Sequence, residues 1–94
     1  MVEQSFIPSP DLTFDTVQSD SQRFLALLSD SKLAVVRLDL SEVKHCDSAG
    51  LALIIEAKRL CHQYHKTLVI EGIPRAISTL AEFCGVEAML TSQT

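Results

Sequence analysis

Leu33-Ala34-Val35-Val36-Arg37-Leu38 is a nearly unbroken apolar run of strand length, and it predicts a β-strand covered on both faces. Thr67-Leu68-Val69-Ile70-Glu71 predicts a second strand, and Ser5-Phe6-Ile7 a weaker one ended by Pro8-Ser9-Pro10. Between these runs the spacing becomes helical. Val17, Phe24, Leu25 and Leu28 recur at about 3.6 residues per turn, with Thr13 or Asp15 available as the cap and Ser29-Asp30-Ser31 as the stop. A longer helix is predicted from Ser48 to about Gln63. Gly72 then turns the chain, Pro74 opens a helix at its first position, and Ile77, Leu80 and Cys84 line one face of it. Gly85 is placed to end that helix, and Met89-Leu90 reads as a last short extended piece. The order β-α-β-α-β-α predicts one α/β domain with right-handed crossovers and a mostly parallel sheet of about three or four strands.

The helix from Ser48 has the most telling pattern. At about 100° per residue, Leu53, Ile54, Ala57, Leu60 and Cys61 gather on the side that would pack on the sheet. Ser48, Leu51, Ala52, Ile55, Lys58, Arg59 and His62 fall opposite. The later half of this outer face is charged, as a solvated surface is. Its first half is apolar apart from Ser48. Either it is a partner interface, or the first helix, or else Phe6 and Phe14, covers it within the monomer. Both readings stand on periodicity alone. Asp47 and Ser48 compete for the cap position, and if Asp47 caps, the Ser48 hydroxyl points outward in the first turn. A phosphate on Ser48 would be tolerated at a helix N-terminus but repelled by Asp47.

Composition narrows the class. The chain has 94 residues, 47% hydrophobic and 21% charged, the balance of a globular domain with a limited core. A net charge of -4, with no basic run longer than Lys58-Arg59, argues against nucleic-acid binding. No apolar run approaches the roughly 20 residues of a membrane span, and Met1 to Pro10 lacks the features of a secretory signal, so a cytoplasmic location is expected. Cys46, Cys61 and Cys84 sit in apolar surroundings and are expected to be reduced, buried thiols. Cys61-His62 with His65 lacks the paired spacing of a zinc site, so no metal and no cofactor are expected. Catalysis is disfavoured as well. His45, Asp47 and Ser48 are too close in sequence for a relay, and no phosphate loop or nucleophile elbow is present.

Leu38-Asp39-Leu40-Ser41-x-Val43 followed by Asp47-Ser48-Ala49-Gly50-Leu51-Ala52-Leu53 resembles the signature of STAS domains, the sulfate transporter and anti-sigma-factor antagonist family. Glu71-Gly72-Ile73 and Asp11-Leu12-Thr13-Phe14-Asp15-Thr16-Val17 are similar to that family too. The resemblance covers nearly the whole chain and implies a single STAS domain over residues 1–94, with helices mainly on one face of the sheet. It also implies a non-catalytic module that binds partners through the loop and helix after the Asp-Ser pair: Asp47, Ser48, Ala49, Gly50, Leu51, Ala52 and Ile55, with Lys58 and Arg59 at the rim. Two branches of the family compete. Anti-sigma-factor antagonists carry Asp-Ser-Ser-Gly and take phosphate from a serine kinase on the second serine, which here is Ala49. That branch would need Ser48 as the phosphoacceptor. Ser48-Ala49-Gly50 is closer to the MlaB-like branch, which implies a cytoplasmic subunit bound to the ATPase of an ABC-type phospholipid transporter. Such transporters maintain outer-membrane lipid asymmetry, so contact with a membrane would be indirect. The first strand of the family's N-terminal hairpin looks short or absent, which would leave a sheet edge open to a second copy. A third reading, a stand-alone domain binding a small ligand, requires a pocket.

Overall fold

A computed structural model of the chain describes residues 2–91. In chain order the elements are β1 (Val2–Phe6), β2 (Asp11–Leu12), α1 (Val17–Leu28), β3 (Leu33–Asp39), β4 (His45–Cys46), α2 (Ser48–Gln63), β5 (Thr67–Glu71), α3 (Arg75–Phe83) and α4 (Glu87–Thr91). β1, β3 and β5 form a parallel sheet with β3 in the centre, and β2 and β4 make a separate parallel pair. Each step between neighbouring strands of the larger sheet contains a helix, α1 or α2, as parallel pairing demands. The chain is a small α/β fold of the predicted class.

The faces of the sheet are unequal. Phe6, Val36, Leu38 and Leu68 are buried on one face, where Phe24 of α1 and Ile54 and Ala57 of α2 meet Phe6 and Leu38. The opposite face carries Val35, Arg37 and Val69, all part-exposed. There Arg37 Nε lies 2.7 Å from Glu3 Oε2 and its Nη1 3.5 Å from Glu71 Oε2, a charge ladder across three strands. The expectation that the Leu33–Leu38 run is covered on both faces is therefore corrected: helices cover one face only. A register shift between Val2 and Glu3, which pair with Leu33 and Val35, lets Leu33 share the buried side with Val36 and hides the alternation.

Other expectations shift for local reasons. The weak first strand lies at Val2–Phe6 rather than Ser5–Ile7, and Ile7 is exposed. Its polar residues disguise it because it is an outer strand. Neither Thr13 nor Asp15 caps α1, which starts after Thr16; the Thr13 carbonyl instead accepts the Thr16 and Val17 N–H groups at 2.9 Å. Leu25 is exposed, and Asp20 takes the buried stripe with Phe24 and Leu28 at four-residue spacing. The Asp20 carboxylate accepts from Ser9 N at 3.1 Å, Ser9 Oγ at 2.9 Å and Arg23 Nη1 at 2.8 Å, which ties α1 to the Ile7–Pro10 connection. Arg23 completes the tie through the Ile7 carbonyl, with its guanidinium 4.8 Å from the Phe6 ring centre. Cys84 lies at the end of α3 and is exposed, while Ile77 and Ala81 carry the buried face. Met89-Leu90 is helical rather than extended. Gly85, at φ +74°, reverses the chain, and a helical turn then sets Val86 and Leu90 four residues apart against the core.

Candidate functional site

The N-terminus of α2 is built on the β2–β4 pair, which the polar loop between Leu40 and Asp47 did not announce. Asp11 pairs with His45 and Leu12 with Cys46. The Asp47 N–H then donates to the Leu12 carbonyl at 3.3 Å, so the chain enters α2 already anchored on β2. Asp47, extended at φ -107° and ψ -173°, is the cap. Its Oδ1 accepts the Gly50 N–H at 3.0 Å, and its Oδ2 accepts the Phe14 N–H, also at 3.0 Å. These two backbone donors, Phe14 first, hold the Asp47 carboxyl below the usual carboxylate range. One carboxylate thus joins the helix start to the loop between β2 and α1.

Gly50 explains how closely the helix lies on β2. A Cβ at this position would collide with the Leu12 carbonyl oxygen and lie 2.9 Å from Cys46 Sγ. Only glycine permits that approach.

The residues singled out from sequence divide between two faces. Ser48 and Ala52 are exposed and Ala49 is part-exposed, so these three share an open surface. Gly50 and Leu51 are buried, Leu51 at 3% exposure, which corrects its placement on the outer face. At about 100° per residue Leu51 stands only about 60° from Ile54, inside the buried arc. Ile55 is part-buried and packs against the core. Lys58 is part-buried and donates to the Met89 carbonyl at 3.1 Å, so it serves α4 rather than a rim around Ser48. Arg59 is exposed on the Ser48 side, about three turns further along. It is engaged by Glu56 at 2.6 Å and Gln63 at 3.0 Å.

Beside Ser48 the surface forms an open groove of about 340 Å³ between α1 and α2. Val17, Gln18 and Ser21 line one wall, and Ala49, Ala52, Leu53 and Glu56 the other. Phe14 does not cover it. The Phe14 side chain is 79% exposed, while Phe6 is buried edge-on against Phe24 with ring centres 5.2 Å apart. Sequence reasoning treated Phe14 and the first helix only as possible covers, whereas α1 forms one wall of an open groove and Phe14 stands exposed. The available signal was an aromatic residue at the centre of Thr13-Phe14-Asp15, flanked by turn-forming side chains.

Chemically the site offers hydroxyls, small apolar side chains and one aromatic ring. Both Asp47 oxygens are committed to backbone N–H groups. His45 is turned to Asp11, Nδ1 to Oδ1 at 2.7 Å. Among the described residues there is no group of three or more His, Cys, Asp or Glu side chains placed to hold a metal ion. The cysteines do not share one state: Cys61 is buried, Cys46 part-buried and Cys84 exposed, which corrects the expectation of three buried thiols. Burial pushes the Cys61 thiol up to about 11, and burial with the nearby Asp47 charge does the same to Cys46. No helix among the described residues is long and apolar enough to cross a membrane.

Comparison with known proteins places this geometry in context. The family model described as "Mlab, STAS domain" matches residues 9–91. The chain is 35% identical over 52 residues to the intermembrane phospholipid transport system binding protein MlaB of Haemophilus influenzae, a match over 55% of this chain and 50% of that protein. The match thus spans about half the length of that relative. No solved structure gives a significant match.

Proposed function

The chain belongs to the STAS domain family, and on that premise we propose that it is a non-catalytic, protein-binding subunit of a phospholipid transport system. It acts on the cytoplasmic side, where it docks on the ATPase of the ABC-type transporter through the open surface of Ser48, Ala49 and Ala52. The observation that carries this reading is that the family model runs through both walls of the groove and the Asp47 clamp that joins them. The name of the 35% identical relative supports the transport system. The small side chains support docking, because Ala49 and Ala52 let a partner's backbone approach α2 closely. In this reading Asp47 and Gly50 build the surface, and Leu51 and Ile55 support it from below.

The test is affinity copurification of the tagged chain from its own cells, with Ala52→Asp and Ser48→Ala in parallel. Ala52 is exposed, so aspartate there leaves the fold intact while placing a charge on the docking surface. Recovery of an ABC ATPase by the native chain and its loss with Ala52→Asp is the expected result. Equal recovery by both would remove this surface from the contact. Recovery of a serine kinase instead, sensitive to Ser48→Ala, would replace this reading with an anti-sigma-factor antagonist in which Ser48 takes the phosphate.

A further inference from the structure

We propose that Phe14 is the anchor of this docking surface, and that the ATPase receives it in an apolar pocket rimmed by basic side chains. The proposal rests on the partner-binding reading above and names the residue and the chemistry of the contact.

Phe14 contributes little to the fold. Its side chain is 79% exposed, and the neighbouring core is filled by Phe6 and Phe24. Yet the turn that carries it is held by several hydrogen bonds. The Phe14 N–H is held by Asp47 Oδ2, and the Thr13 N–H by Thr16 Oγ1 at 3.0 Å. The Thr13 carbonyl accepts two N–H groups, and the Thr16 hydroxyl reaches back to the Asp11 carbonyl. An aromatic ring shown to solvent on a fixed turn loses little freedom on binding, which is the property of a binding hot spot. Phe83 is exposed as well, at 89%, but it lies at the last residue of α3 and is not among the backbone groups that the Asp47 carboxylate holds.

Charge defines the other side of the contact. From Val17 to Gln22 and from Ser48 to Ala57 there is no Lys or Arg. Asp15 is exposed beside Phe14, Asp47 lies behind it, and Glu56 closes the groove. Of the next bases along α2, Lys58 is turned to the Met89 carbonyl and Arg59 is already paired with Glu56, and His45 on the β4 side is held by Asp11. Asp15 is left as the uncompensated carboxylate beside the ring, and its charge favours a partner whose pocket is edged by Lys or Arg.

The experiment is kinetic binding of the full chain to the purified ABC ATPase of the phospholipid transporter from the same organism. Wild type, Phe14→Ala, Phe83→Ala and Asp15→Asn would be compared at about 50 and about 500 mM salt, across which charge steering is screened. Phe14→Ala is expected to bind at least about 30-fold more weakly, mainly through faster dissociation. Phe83→Ala should match wild type, and circular dichroism should show Phe14→Ala folded. Asp15→Asn and high salt should each slow association several-fold. Wild-type binding with Phe14→Ala within about twofold of it overturns the anchor alone. Association that ignores salt and Asp15 overturns the basic rim. No binding by the wild type overturns the transporter reading itself, and this proposal with it.

Discussion

Gly50→Ala should destabilise the domain, although alanine is the better helix former. The gain from propensity is at most about 1 kcal/mol, and less in a first turn. Against it stands the Leu12 carbonyl, on which the new methyl group would land. That carbonyl cannot swing away, because Leu12 is fully buried and its oxygen accepts the Asp47 N–H. The start of α2 must therefore retreat by roughly 1 Å to reach an ordinary C···O separation. The retreat strains the Asp47–Leu12 hydrogen bond, worth about 1 kcal/mol. It also loosens Leu51 and Ile54 beneath the helix, and overpacking of this kind costs about 1–3 kcal/mol. The balance is a loss of about 2 kcal/mol, or roughly 8–16 °C in Tm for a domain of this size. Urea titration and a calorimetric melt would read it. Gly85→Ala is the comparison: nothing lies within 4 Å of that Cβ, so only the left-handed backbone at φ +74° is strained, at about 1 kcal/mol. A Gly50→Ala protein that melts at or above wild type would refute the close contact of α2 with β2.

Three further outcomes follow from burial and charge. Leu51→Asp should leave the chain unfolded in far-UV circular dichroism, since an unpaired carboxylate at 3% exposure costs more than about 4 kcal/mol; a folded Leu51→Asp protein would return Leu51 to the surface. The Asp47 carboxyl is held low in the folded state, so its contribution is present above its ordinary value near 3.8 and lost as pH falls through the lower folded value. Asp47→Asn should therefore flatten part of the acid limb of stability in urea melts taken from neutral pH to about pH 3. Asp39 and Glu56, also held low, keep the remainder, and an unchanged limb would contradict the clamp. Ellman's reagent should titrate one thiol quickly in the native protein, the exposed Cys84, and the other two after denaturation; two fast thiols would show that Cys46 is open.

The α/β class and the elements at the centre of the chain were legible because α2 buries a stripe at helical spacing, while β3 and β5 are apolar runs of strand length. What escaped has a common cause. β2 and β4 are two residues each, too short for any period, and they exist because they bracket the Asp47 clamp. Asp20 escaped because a carboxylate in a buried stripe is justified only by distant partners, here Ser9 and Arg23. Leu51 was misplaced by one helical face. Periodicity gives the centre of a buried arc but not its width, and here the arc extends to Leu51. The open side of the site, Phe14 and the α1 wall, depends on a contact between residues 33 positions apart that no local pattern encodes.

The same geometry changes how the Asp-Ser-Ala-Gly run should be interpreted. As a linear motif it invites four equal roles in partner binding. In the fold, Asp47 spends both oxygens on backbone N–H groups and Gly50 exists to admit the Leu12 carbonyl, so two of the four residues are scaffold. Ser48 and Ala49 are what the scaffold displays. Loss of partner binding after changing Asp47 or Gly50 would therefore say nothing about direct contact, because either change also releases Phe14 or lifts α2. Substitutions at Ser48, Ala52 and Phe14, which are all exposed and leave the clamp whole, are the ones that can separate a damaged surface from a displaced one.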